Sequence, residues 1–160
     1  MNLDQKLKET DYIKIHSWGK ILTYLKRQFD EWATDRLCDG GYKTFKMVYM
    51  PVLMNIKVEG TNNNDLARTA RVTKQAMSKV AKELQELGYI KTKTDPKDKR
   101  STIFMLTDKG KKLVIEARLA VEELTNEYRE LLGAKEFDNM VLMLEKIIAY
   151  TDKKLSPADE

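Results

Sequence analysis

Two short stretches of this chain concentrate side chains that donate hydrogen bonds or carry positive charge. The first is "TKQAMSKVAK" at residues 73–82, and the second is "DPKDKRS" at residues 95–101. Ammonium, guanidinium and amide groups contact phosphates, and glutamine and lysine also bond the edges of bases. The two stretches therefore have the residue types of a nucleic-acid contact surface. The candidate contact residues are Thr73, Lys74, Gln75, Ser78, Lys79 and Lys82 in the first stretch, and Lys97, Asp98, Lys99, Arg100 and Ser101 in the second.

Positive charge is segregated along the chain. The net charge is +4, yet residues 66–112 hold thirteen basic and five acidic residues, a balance of +8 that leaves −4 for the remainder. Such segregation suits a surface that meets a polyanion. A solvated basic face without any partner would give the same count.

The apolar residues before the central region recur with helical periodicity. Apolar residues at three- and four-residue steps predict a first helix over about residues 12–37, started by Thr10 or Asp11 and ended by "DGG" at 39–41. A shorter helix is predicted within residues 43–57, where Pro51 either kinks the helix or stands near its start. Its predicted apolar side consists of Phe45, Val48, Tyr49, Leu53 and Ile56.

The central region reads as helix, tight turn, helix and two-stranded ribbon. Asn62 and Thr73 are suited to cap helices over about 63–70 and from 74 to the stop at Gly88. Alternating residues predict strands over 89–94 and 101–107, and Thr107 or Asp108 then starts a long helix that Gly133 breaks. The predicted buried side of the second helix is Ala76, Met77, Val80, Leu84 and Leu87.

This order of elements predicts a winged helix-turn-helix, in which one helix enters the major groove of duplex DNA. On that helix Gln75 can pair bidentately with adenine, and Lys74 and Lys79 can meet guanine or phosphate. Ser78 can bond either, and Thr73 can offer its hydroxyl and backbone amide to a phosphate. A helix with these side chains can therefore read sequence as well as bind the backbone.

The run "DLARTARVTKQAMSKVAKELQELGYIKTKTDPKDKRSTIFMLTDKG", residues 65–110, resembles the MarR family of bacterial transcription regulators. The matching features are "DLA" at the start of the motif, "VTKQAMSKVAKELQELGYI", Asp98 with Arg100 in the wing, and the closing "LTDKG". Arg71 is a departure, because the family usually has a glycine in the turn between the two motif helices. A residue with a side chain at this position must accept a less favourable backbone geometry than glycine.

The resemblance implies a mainly α fold with a small β-wing, flanked by N- and C-terminal dimerisation helices. Residues 43–110 would form the DNA-binding lobe, residues 10–38 and 111–155 the dimerisation module, and 156–160 a tail. The wing arginine, here Arg100, would enter the minor groove, with Asp98 orienting it and Lys97 and Lys99 beside the backbone. A symmetric dimer would place two recognition helices roughly 34 Å apart, so the operator should be an approximate palindrome. We expect repression rather than activation.

The resemblance also implies control by a small aromatic or phenolic ligand, or by an oxidant. Candidate pocket residues are His16, Trp18, Tyr42, Tyr49 and Met50, although the same residue types fill cores. Cys38 is either a redox trigger or an inert thiol, and the lone histidine argues against a metal site. We expect no cofactor.

Two other function classes are alternatives for this sequence. A winged helix can instead bind protein or RNA, with its basic face serving solubility. An enzyme is not expected, because one histidine, one cysteine and no phosphate-binding glycine loop leave little to carry catalysis. The single cysteine and the absence of a signal-like N-terminus favour the cytoplasm.

Overall fold

The computed structural model describes residues 2–15, 17–96, 99 and 101–155. The chain divides into two compact units, Met1–Lys111 and Lys112–Glu160. Five predictions lie outside the described residues: those for His16, Lys97, Asp98 and Arg100, and that for the tail at 156–160. The side chain of Lys74 is likewise outside the description.

Three helices form the N-terminal part of the first unit: α1 (Leu3–Glu9), α2 (Asp11–Ile15) and α3 (Trp18–Asp39). The prediction of one helix over residues 12–37 is therefore wrong at its start. Thr10 ends α1 instead of capping the long helix, since its backbone N–H and its hydroxyl both donate to the Lys6 carbonyl, at 3.1 and 3.0 Å. A threonine hydroxyl that bonds backward in this way competes with helix continuation. The predicted end is confirmed: α3 stops at Asp39, and Gly41 adopts a φ of +87°.

The predicted helix within residues 43–57 is much shorter than expected. A 3₁₀ turn over Met47–Tyr49 leads into α4 (Met50–Leu53). Pro51 stands in the first turn of α4, where its missing N–H has no helical acceptor, so it marks a helix start and not a kink. Val48 is 62% exposed, contrary to the prediction, because a 3₁₀ turn rotates side chains by a different period from an α-helix.

The helix-turn-helix consists of α5 (Asn63–Thr69) and α6 (Lys74–Glu86), and both predicted caps are confirmed. The side chain of Asn62 accepts from the Asp65 N–H at 2.9 Å, and Thr73 Oγ1 accepts from the Ala76 N–H at 3.2 Å. Each cap satisfies a backbone donor that the first turn of a helix leaves unpaired. The last helical residue of α6 is Glu86, and Gly88 follows with a φ of +76°.

A three-stranded antiparallel sheet completes this unit, in the order β1–β3–β2. The strands are β1 (Thr61–Asn62), β2 (Ile90–Thr94) and β3 (Thr102–Leu106). The two predicted strands are confirmed, but β1 was missed because two residues are too few to show a period. Thr61 pairs with Phe104, which also pairs with Thr92 on the other side.

The inner face of α6 forms much of the core, in contact with α4, α5 and β2. Met77 and Leu84 are fully buried, as predicted, and Val80 is also buried. Two positions were mistaken: Ala76 is exposed, and Leu87 is only half-buried. Ala81 is buried although it was not predicted to be. The buried stripe consists of residues 77, 80, 81 and 84, and Ala76 lies outside it.

Two long helices carry the rest of the chain: α7 (Asp108–Leu132), which begins in the first unit, and α8 (Ala134–Leu155). Gly133 separates them with a φ of +91°, as predicted. The guanidinium of Arg129 contacts Asp138 Oδ1 at 2.7 Å, and the rings of Tyr128 and Phe137 lie 6.1 Å apart, so the two helices contact each other beside the turn at Gly133. None of the described helices is apolar over the length that a bilayer crossing requires.

Arg71 occupies the turn between α5 and α6 with a φ of +54°. It is the one non-glycine residue of the described chain with a positive φ. Its neighbour Val72 donates to the Ala67 carbonyl at 3.1 Å, which closes the end of α5. The left-handed conformation is unfavourable for residues with a Cβ and is freely available to glycine.

We predict that Arg71→Gly is more stable than Arg71→Ala by about 1 kcal/mol. Both variants remove the guanidinium, so their difference isolates the backbone preference at this position. Chemical denaturation measures it from the unfolding midpoints. Equal stability of the two variants would show that the turn relaxes out of the left-handed region.

Candidate nucleic-acid interface

The outward face of α6 is polar and exposed. Gln75, Ser78, Lys79 and Lys82 are all exposed, and Thr73 is exposed at the helix start. These are the sequence-predicted contact residues on this helix, apart from the undescribed side chain of Lys74. The ammonium of Lys82 is 4.0 Å from Glu86 Oε1, a loose and solvated pair. The face can therefore present an amide, a hydroxyl and two ammonium groups to one partner.

The hairpin of β2 and β3 has two chemically different faces. Lys91 and Lys93 stand on one face, and the register places Thr92, Thr94 and Thr102 on the other. At the outer end the Asp95 N–H donates to the Ser101 carbonyl at 2.9 Å. Lys99 is exposed beyond this bond, and the roles of Lys97, Asp98 and Arg100 stay predictions.

The "LTDKG" segment joins the end of α6 to the start of α7. The Thr107 hydroxyl donates to the Gly88 carbonyl at 2.7 Å, and its oxygen accepts from the Gly110 N–H at 3.1 Å. Lys109 Nζ donates to the Leu87 carbonyl at 2.7 Å and lies 4.3 Å from the centre of the Tyr89 ring. A cation at a helix C-terminus is favoured by the helix dipole. The motif thus fixes both the end of α6 and the base of the hairpin.

Gly110 is required by this junction. A Cβ at this position would lie 2.1 Å from the Tyr89 carbonyl oxygen, closer than any two such atoms can approach. The glycine of the motif therefore serves close approach between the start of α7 and the backbone that leads into β2.

A second set of contacts, between Glu83 of α6 and the segment of Lys46 and Tyr49, was not predicted from the sequence. The Tyr49 hydroxyl donates to Glu83 Oε2, and Lys46 Nζ lies 3.7 Å from the same oxygen. Tyr49 is only 2% exposed, and its ring contacts Phe45 edge to face. The bond connects residues 34 positions apart, from the 3₁₀ turn to α6. No local pattern could have revealed it.

The electrostatics of this cluster favour an ionised Glu83 and a neutral Tyr49. The hydrogen bond from Tyr49, followed by the charges of Lys46 and Lys79, lowers the pKa of Glu83 although burial opposes it. The same hydrogen bond, followed by burial, raises the pKa of Tyr49. The hydrogen bond with Tyr49 is also the first cause of the raised pKa of Lys46. The carboxylate is thus held on α6 by a donor and a cation from the preceding segment.

The predicted effector residues are dispersed among different environments. Trp18 is 65% exposed near the start of α3, whereas Tyr49 is a core residue engaged by Glu83. Tyr42, Met50 and the free Cys38 are half-buried. The part of the chain that the structure describes contains no group of three His, Cys, Asp or Glu residues able to hold a metal ion.

We predict that Tyr49→Phe lowers the free energy of unfolding by about 1–3 kcal/mol at neutral pH, because a buried hydrogen bond to a carboxylate is lost. The pKa of Glu83 is lowered in the folded protein, so its contribution is present above its ordinary pKa of 4.5 and is lost as the pH falls below that value. The difference between wild type and variant should shrink over the same range.

Urea denaturation at a series of pH values measures this difference. Tyr89→Phe is the matched control, since Tyr89 belongs to the same aromatic cluster and the structure gives its hydroxyl no bond to a described residue. A Tyr49→Phe effect that is independent of pH would assign the loss to packing and not to Glu83.

Comparisons with known proteins agree with this geometry. The sequence model of the MarR family matches residues 45–101. The transcriptional regulator AdcR of Streptococcus pneumoniae is 34% identical over 79 residues, 49% of this chain and 54% of AdcR. The chain thus spans about half the length of this curated relative.

Two solved structures share the fold. An E. coli MarR variant complexed with operator DNA matches with a TM-score of 0.71 at 20% identity, over 85% of this chain and 96% of MarR. CouR from Rhodococcus jostii, bound to p-coumaroyl-CoA, matches with a TM-score of 0.68 at 22% identity, over 82% of this chain and 92% of CouR. AdcR is a transcriptional regulator, which is the function class that the sequence predicts. The resemblance is thus supported by the family model over residues 45–101, and the solved structures show the same winged helix-turn-helix fold.

Proposed function

We propose that this chain is a sequence-specific regulator of transcription that binds double-stranded DNA as a homodimer and represses from a pseudo-palindromic operator in the cytoplasm. The observation that carries the proposal is the outward face of α6, where Gln75, Ser78, Lys79 and Lys82 are exposed together. The opposite face of the helix is buried, so this side is the one available to a partner.

The roles of these side chains follow from their chemistry. Gln75 lies in the first turn of α6, the part of a recognition helix that reaches base edges, and it pairs with adenine. Lys79 and Lys82 lie further along and contact guanine or phosphate, while Thr73 offers its hydroxyl to the backbone. Sequence reading thus depends mainly on Gln75, and affinity mainly on the lysines.

The hairpin supplies the second contact. Arg100, at its tip, enters the adjacent minor groove, where arginine senses groove width and potential more than base identity. Asp98 orients it, and Lys97, Lys99 and Ser101 approach the backbone. The Asp95–Ser101 backbone bond supports this role because it extends the ladder toward the tip.

Dimerisation is supported by the apolar side chains that the described chain leaves uncovered. No residue of α8 is buried, although Met140, Leu144, Ile147 and Ile148 recur at helical spacing along it. A monomer would expose this stripe to water at a cost of roughly 25 cal/mol per Å². Two-fold pairing through α3, α7 and α8 would cover it, which corresponds to the predicted module of residues 10–38 and 111–155.

Control by a small aromatic ligand is the remaining part of the proposal. CouR, which shares the fold, is bound to p-coumaroyl-CoA. Among the described candidates, Trp18 is exposed, and Tyr42 and Met50 are half-buried, so a ligand can contact them. His16 is a further candidate from the sequence alone. Tyr49 contributes through its bond to Glu83 on α6, which links this segment to the recognition helix. Equilibrium dialysis with aromatic acids tests this control.

We predict that Gln75→Ala changes which operator variants are preferred, by roughly 1–3 kcal/mol at one base pair, because a bidentate contact is lost. Selection of bound duplexes from a random pool, carried out with both proteins, measures the change. Thr44→Ala, a substitution on an exposed turn of the first unit, is the control and should return the wild-type motif.

Identical selected motifs for wild type and Gln75→Ala would remove Gln75 as a base reader. A salt titration of wild-type binding to duplex DNA tests the alternative of a protein- or RNA-binding winged helix. Duplex DNA binding that neutralises several phosphates weakens steeply between about 50 and 200 mM salt. Binding to RNA alone, or to neither nucleic acid, would favour the alternative.

We predict a dimer at micromolar concentration by analytical ultracentrifugation, and dissociation on Ile148→Asp, because a charge would enter the apolar stripe of α8. Lys146→Asp places the same charge on the opposite side of that helix and should leave the dimer intact. A monomeric wild type would contradict the two-fold arrangement on which the palindrome depends.

A further inference from the structure

A polar depression of about 320 Å³ lies between α6 and the hairpin. Its floor includes Ala81 and Phe104, which are buried. The side chains around it are Asn63, Ser78, Lys82, Gln85, Thr92 and Thr102. Five of these six are uncharged donors and the sixth is a lysine, so none of the described lining residues carries a carboxylate.

Two threonine hydroxyls of the hairpin border the depression. Gln85 Nε2 donates to Thr92 Oγ1 at 3.1 Å, so the threonine oxygen is used as an acceptor and its hydroxyl proton is available. Thr102 stands on the same face of the hairpin, diagonal to Thr92, since Thr92 pairs with Phe104 and Thr102 with Thr94. Hydroxyls and an ammonium group around a concave surface match the oxygens of a phosphate diester.

The position of the depression indicates which phosphate it would meet. Ser78 and Lys82 belong both to its wall and to the outward face of α6, and Thr92 and Thr102 belong to the hairpin. A DNA strand that passes from the major groove, read by α6, to the minor groove, entered by the hairpin, must cross the space between them. A phosphate of that strand would therefore arrive at this depression.

We infer that the depression is a seat for one backbone phosphate of the bound DNA, held by Lys82, Thr92 and Thr102 and bordered by Asn63 and Gln85. The inference rests on the proposed function and adds to it a site that fixes the hairpin and the recognition helix on the same strand. Such a contact positions the protein without reading sequence.

The test uses Thr102→Val, which keeps a β-branched shape suited to a strand but removes the hydroxyl. Fluorescence anisotropy should show binding weakened about tenfold, and equally on a selected operator and on a scrambled duplex, because a hydrogen bond to a charged group is lost. Thr102→Ser restores the donor and should recover most of the affinity. Lys82→Gln should weaken all duplexes alike and lower the salt slope by about one.

Neutral methylphosphonate substitutions, placed one at a time along the operator, identify the phosphate. At the seated phosphate the substitution should weaken wild type but have little further effect on Lys82→Gln. Additive effects at every position, or unchanged binding by Thr102→Val, would overturn the seat while the DNA-binding function stands. A wild type that binds no duplex would instead overturn the function and the seat together.

Competition by inorganic phosphate is the last experiment, because the free ion has the same kind of oxygen atoms as the DNA backbone. At matched ionic strength we expect phosphate to compete with DNA no better than chloride does. Phosphate binding in the absence of DNA that Thr102→Val abolishes, together with unchanged DNA binding by Thr102→Val, would make the depression a free-anion site and overturn its assignment to the DNA strand.

Discussion

Helix α6 must bury one face and keep the opposite face available, and the rest of the first unit holds it in that orientation. Met77, Ala81 and Leu84 are buried, and removing them from water supplies most of the free energy that holds the helix. Burial alone does not fix the position of α6 along its axis or its rotation about that axis. Specific polar contacts at its start, middle and end do so: the Thr73 cap, the Tyr49–Glu83 bond, and the Thr107 and Lys109 bonds to the last carbonyls.

Contacts within the fold also engage some of the basic side chains, so that these are not all available to a partner. A count of residues 66–112 suggests that thirteen cations face a polyanion. In the folded chain Lys109 instead serves the C-terminus of α6, and Lys111 pairs with Asp108 at 3.1 Å. Lys79 and Lys82 remain on the outward face, and Lys91 and Lys93 share one side of the hairpin. The cations that remain on the outward face of α6 and on the hairpin are thus fewer than the count of thirteen.

Sequence patterns predicted most of the fold where the decisive interaction is local. The caps at Asn62 and Thr73 and the stops at Gly88 and Gly133 depend on residues within a few positions, and all are confirmed. The errors arise where a competing interaction or a distant partner decides. Thr10 ended a helix it was expected to start, and the 3₁₀ turn moved Val48 to the surface.

The candidate site shows the same division. Exposure of Gln75, Ser78, Lys79 and Lys82 follows from helical periodicity, because the apolar residues of α6 mark the opposite side. The Tyr49–Glu83 bond and the depression beside Thr102 depend on pairing between elements far apart in sequence, so periodicity carries no information about them. Arg71 lies between the two cases: the sequence showed an unusual residue in the turn, and its φ of +54° gives the reason that glycine is usual there.

Dimethyl sulfate methylation protection on a selected operator tests the central claim most directly, because the reagent attacks guanine N7 in the major groove and adenine N3 in the minor groove. If two α6 helices and two hairpins contact one duplex symmetrically, protection should form two equivalent patches about 10 base pairs apart, each flanked on its outer side by minor-groove protection. A single unsymmetrical patch, or protection without the flanking minor-groove signal, would contradict the account.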